Sequence, residues 1–132
     1  MQNQDTGVPG LELEVFARLD RQYRERWGIG LYAVRADGTH ACGRRTCTVT
    51  GDPTCDQTRA FALQEALRWG DPSIVFCPAG RLLWAIPVMH NERIVGGLVA
   101  SALEKQVFPN GQAPVRLDLR RAATELRVMA ER

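Results

Sequence analysis

Three apolar runs of strand length follow one another with almost nothing between them: "SIVFC", "LLWAIPVM" and "RIVGGLVAS", the last two separated only by "HNE". So short a polar turn cannot hold the crossover that parallel strands require, so these runs predict adjacent antiparallel strands. Pro87, inside the middle run, cannot donate to a ladder and predicts an edge position or a bulge. Whatever else the chain does, it must cover this sheet.

The covers are legible as helical spacing. Leu11, Val15, Phe16, Leu19, Tyr23 and Trp27 recur at three- and four-residue intervals, with Arg18, Arg21, Arg24 and Glu25 on the far side. This predicts an amphipathic helix from about residue 11 to 27, stopped by Gly28. "GLYAVRADGTHAC" then reads as a strand, an Asp37-Gly38 turn and a second strand, because Asp-Gly adopts the positive φ angles of tight hairpins. Residues Gly43 to Asp56, rich in Thr, Gly, Arg and Cys, show no core periodicity and read as a loop. Asp56 is a candidate N-cap for a second helix with Ala60, Leu63, Ala66 and Leu67 on one side, closed by Gly70 ahead of Asp71-Pro72. After "PNGQAP" a third helix presents Leu119, Ala122, Ala123, Leu126, Met129 and Ala130 and runs to the chain end. The order predicts an α+β fold, an antiparallel sheet of about five strands with flanking helices, of the PAS/GAF sensor kind. Residues 1–10 read as a flexible leader and 11–132 as a single domain.

Composition narrows the function classes. A length of 132 residues, 45% hydrophobic and 24% charged, excludes disorder and fibre and fits one domain with its own core. The net charge is only +2, Lys105 is the sole lysine, and the densest basic spots are Arg44-Arg45 and Arg120-Arg121. These are too small for a nucleic-acid footprint, so no direct nucleic-acid binding is expected. Neither a signal peptide nor a membrane-length apolar run is legible, so a cytoplasmic chain with no membrane partner is expected. No Ser-His-Asp set, G-x-S-x-G or phosphate loop occurs, and Glu12, Glu14, Glu65 and Glu104 have no paired-carboxylate spacing. An enzyme is therefore not expected.

The cysteines pose the main functional question. Cys42, Cys47, Cys55 and Cys77 are spaced C-x4-C-x7-C-x21-C, which matches neither a zinc ribbon nor a plant-type iron–sulfur run. Buried thiol packing is the favoured reading for Cys77, which Pro78 holds extended. The rival is a metal or redox switch in which all four converge on zinc or an iron–sulfur cluster. Cys42 and Cys47 flank Arg44-Arg45, whose charge favours thiolate, and His40 is close enough in sequence to join the set. His90, in the predicted turn, is expected to face solvent.

Tyr32, Phe76 and Trp84 fall on three predicted strands, and a concave sheet carrying aromatics and a few polar groups is the common form of a small-molecule site. Trp84 is the leading candidate because residues 82 to 88 are apolar on both alternating faces. Gly96-Gly97 marks either a close approach to the strand or a bulge.

The run "DPTCDQTRAFALQEALRWGDPSIVFCPAGRLLWAIPVMHNERIVGGLVAS" resembles the PocR-type sensory domain. Its pattern falls on Cys55, Gly70, Pro72, Cys77, Ala79, Gly80, Pro87, Gly96 and Gly97, and an upstream family cysteine corresponds to Cys42 or Cys47. The match spans about residues 28 to 103, and this chain has Trp84 where the family often has an acidic or polar residue. The resemblance implies a PAS/GAF-like pocket for small organic molecules, hydrocarbon derivatives of the propanediol type, in signal transduction or transcriptional regulation. The expected ligand-binding residues are Tyr32, Cys55, Phe76, Cys77 and Trp84, with no cofactor. A homodimer paired through terminal helices and a separate signalling or DNA-binding partner are expected too.

Overall fold

The structure, a computed structural model, describes residues 6–43, 53–78, 81–103 and 115–130. Eight elements follow in order: α1 (Leu13–Trp27), β1 (Leu31–Arg35), β2 (His40–Gly43), α2 (Pro53–Trp69), β3 (Val75–Phe76), β4 (Arg81–His90), β5 (Arg93–Leu103) and α3 (Val115–Ala130). The strands form one antiparallel sheet in the order β2-β1-β5-β4-β3. The α+β class and the five-strand sheet read from the sequence are what the chain adopts.

Strand alternation divides the sheet residues between two helical layers. Leu31, Ala33, Leu82, Trp84, Ile86, Leu98, Ala100 and Ala102 pack with Phe16, Leu19 and Tyr23 of α1 and with Ala122, Ala123 and Leu126 of α3. Tyr32, Val34, Leu83, Ala85 and Val99 face the other way and pack with Ala62 and Leu63 of α2. Because both faces are covered, β4 is apolar at consecutive rather than alternate positions, a pattern more familiar from parallel sheets.

Local chemistry sets the joints. Gly28 takes a left-handed φ of 71° and its N–H donates to Arg24 O at 2.8 Å, ending α1 where the sequence predicts. In the first hairpin the Asp37 carboxylate accepts from the Thr39 amide at 3.0 Å and hydroxyl at 2.7 Å. Gly38, at a φ of 87°, has no room for a Cβ because the Asp56 carbonyl sits against it. Asn91 and Glu92, with φ of 53° and 64°, make the β4–β5 turn, the double positive-φ geometry that suits a right-twisted hairpin.

Two expectations are corrected, and one left open is resolved. Asp56 does not cap α2: the helix starts at Pro53, a residue pre-set for the first helical position, and the Asp56 carboxylate instead pairs with Arg59. Arg59, only 3% exposed, also donates to Gly38 O at 2.8 Å, which fastens α2 to the hairpin turn. The leader is not uniformly flexible: Thr6 and Val8 are buried, Thr6 Oγ1 donates to Leu11 O at 2.6 Å, and Val8 joins the α1-side core. Finally, Gly96-Gly97 serves close approach on both faces at once. A Cβ on Gly96 would lie 2.6 Å from Val8 Cγ1, and one on Gly97 would strike Leu63 of α2. A register shift between Val88 and Met89 sits opposite the pair, so a bulge is present as well.

Pro87 lies where the rule for proline requires. β3 pairs only with Leu82 and Leu83, so among the described residues β4 beyond Leu83 has β5 alone beside it, and Pro87 stands in that half-open stretch.

Candidate functional site

The α2 face of the sheet carries polar groups in a setting otherwise made of small apolar side chains. Cross-strand register gives its rows: Val34–Gly97–Pro87, then Tyr32–Val99–Ala85, then Ser101–Leu83–Val75. Arg81 and Cys77 come next, with the Cys77 N–H donating to Arg81 O at 2.9 Å. Leu63 of α2 covers the first row through the space that Gly97 leaves. The later rows therefore hold the Tyr32 ring, the buried Ser101 hydroxyl, the Cys77 thiol and the Arg81 side chain. Tyr32 stacks on His40 with ring centroids 6.1 Å apart, and His40 Nε2 lies 2.7 Å from Gly43 O. Cys55, 3% exposed, enters from the first turn of α2. A cavity of about 270 Å³ opens beside it between α2 and β3, lined by Thr54, Gln57, Thr58, Phe61, Val75 and Phe76.

Of the five residues expected to bind a ligand, the structure sets Tyr32 and Cys77 on one face and buries Cys55 on the first turn of α2. The other two are elsewhere. Trp84 belongs to the row Leu31–Ala100–Trp84 on the opposite side, fully buried against α1 and α3. Its indole N–H donates to the Tyr23 hydroxyl at 2.8 Å, which in turn donates to Ala122 O at 2.5 Å. Burial pushes the Tyr23 hydroxyl well above the usual phenol range, although the Trp84 hydrogen bond pulls it down. A buried indole needs an acceptor, and the α1 layer supplies it. Phe76 pairs with Leu82 and so sits one position out of phase with Val75, 59% exposed at the sheet edge.

The four-cysteine metal set is not assembled by the described residues. Cys42 pairs with Ala33 and packs against the α1-side core, whereas Cys77 lies on the α2 side. Cys47 falls outside the described residues, and among those described no group of three or more His, Cys, Asp or Glu is placed to hold a metal. Two functional candidates escaped the sequence reading. Ser101 is the only hydroxyl in its apolar run, and period-two counting from Val99 puts it on the same face. Arg59 carried a signal too, at helical i+3 spacing from Asp56.

No helix among the described residues is long and apolar enough to cross a membrane. The architecture is a sheet clasped between a terminal helix pair on one face and a single helix, α2, on the other. The family model described as "Sensory domain found in PocR" matches residues 22–131. The chain belongs to that PocR sensory-domain family. Two solved structures share its fold. One is the C-terminal domain of a protein assigned as a transcriptional regulator from Vibrio cholerae, 10% identical, covering 92% of this chain and 97% of that one with a TM-score of 0.55. The other is a domain of a protein assigned as an IclR-family transcriptional regulator, 14% identical, covering 89% and 92% with a TM-score of 0.52. At such identities the likeness is one of fold. No curated protein gives a match to the chain.

Proposed function

We propose that this chain is a ligand-binding sensory module, not an enzyme, that seats a small organic molecule on the α2 face of its sheet. Occupancy is handed to a separate signalling or DNA-binding protein. Family membership supports the sensory role, and one observation carries the location: Tyr32, Ser101 and Cys77 share a face that is otherwise small and apolar. Such a face suits a mainly hydrocarbon guest oriented by a few polar contacts. Cys55 and the opening between α2 and β3 lie on the guest's way in, and Phe76 stands at its rim.

The test is a thermal-shift screen of the full chain against short alcohols, diols and organic acids, followed by calorimetry on hits. The expected result is saturable stabilisation that weakens in Ser101→Val and Cys77→Ser, and persists in Phe76→Ser. Binding indifferent to both inward-facing substitutions would remove the seat from this face.

A further inference from the structure

A guanidinium stays charged at every accessible pH, so wherever it is buried it needs an acceptor. Arg59 meets that need with Asp56 and Gly38 O. Arg81 does not. Its Nε is buried with no hydrogen-bond partner, and none of the ion pairs among the described residues includes it. A buried donor left unmade is costly, and in a native fold such an atom calls for an explanation.

Its position supplies one. Arg81 opens β4 and alternates with Leu82, which packs in the α1-side core. Register therefore puts Arg81 on the α2 face, in the row after Ser101 and Leu83 and across from Cys77. Nothing about strand formation demands a cation there.

We propose that Arg81 reads the head group of the ligand and that this head group is a carboxylate, making the guest a small organic acid. Seating its hydrocarbon body along Leu83, Val99 and Ala85 displaces Ala62 and Leu63 of α2, which otherwise pack on them. A neutral hydroxyl could accept from Nε–H, but only an anion also neutralises the charge, and a charge-assisted bond is about twice as strong as a neutral one. The inference rests on the seat proposed above and adds the chemical class of what fills it.

The experiment pairs each acid with its alcohol. Thermal shift and calorimetry compare acetate, butyrate, hexanoate and benzoate, as sodium salts at constant ionic strength, with ethanol, 1-butanol, 1-hexanol and benzyl alcohol. Acids are expected to bind and their alcohols to bind at least about tenfold more weakly, the size of one hydrogen bond to a charged group. Arg81→Gln should lose about that factor for acids while the free protein melts no lower than the parent, since the buried, unpartnered Nε has been removed. Arg81→Lys tests the fork geometry, and a perturbed Arg81 Nε–H signal on adding acid locates the contact should Arg81→Gln fold poorly. Alcohols binding as well as acids, or acid affinity unchanged in Arg81→Gln and Arg81→Lys, would overturn the carboxylate assignment and leave the sensory seat standing. Silence from both series would overturn the assignment and the seat together.

Discussion

Tyr23 is the residue on which the two sides of the buried layer meet. Its hydroxyl accepts from Trp84 on β4 and donates to Ala122 O on α3, so one oxygen joins a central strand to the first and last helices. Tyr23→Phe strands the Trp84 indole N–H in a dry interior, and we expect a loss of about 1–3 kcal/mol by denaturant titration, more than a single deleted hydrogen bond costs at a surface. The Trp84 fluorescence should change in the same variant. Sequence reading ranked Trp84 first as a pocket residue because the run around it is apolar on both faces. That run is apolar because helices cover both faces, and a single sequence does not say which helix an individual position meets. Tyr32 and Cys77 pose the same choice, and only the register of the sheet puts them on the α2 side.

At the scale of elements, α1 and α3 are held in register by a second clasp. Glu125 of α3 accepts from Arg26 Nε at 3.2 Å and from the Trp27 indole at 3.1 Å. The Arg26 hydrogen bond holds its carboxyl below the usual range, against some opposing burial, with Trp27 adding to the effect. A depressed carboxyl stabilises the fold above its ordinary value of 4.5 and ceases to as pH falls through the lowered folded value. Melting temperature should therefore drop across that acid window in the parent and drop less in Glu125→Gln; the contact is exposed enough that the difference will be small. The C-terminal ends of α1 and α2, the Asp37-Gly38 hairpin and the β4–β5 pairing were legible, because caps, turn residues and short connections are local signals. The start of α2 was not. Asp56 looked like a cap until a long-range partner, Gly38, drew Arg59 and its carboxylate into a different bond.

Across the whole molecule the surface is unevenly finished. The outer side of α1 is exposed Arg18, Arg21, Arg24 and Glu25, and its apolar stripe is used up in the core. By contrast Phe61, Leu67, Trp69, Ile74, Phe76 and Met89 are all exposed, and all come from α2, β3, β4 or the bend between α2 and β3. A homodimer paired through the terminal helices, the arrangement expected from sequence, would leave that side bare. Were the chain to pair with itself, the α2 side offers the larger exposed apolar patch, with the Glu65–Arg68 pair beside it. Light scattering should report a species that Trp69→Asp or Phe61→Asp dissociates and Arg18→Glu or Arg21→Glu leaves intact; the reverse pattern would return the contact to α1. The half-open edge of β4 bears on the same question from another direction. An uncovered strand is a template on which foreign backbone can crystallise without limit, and a proline set midway along it is a gatekeeper. With Pro87 there, an assembly that buries this flank is steered toward side chains meeting in closed pairs and away from an endless ribbon.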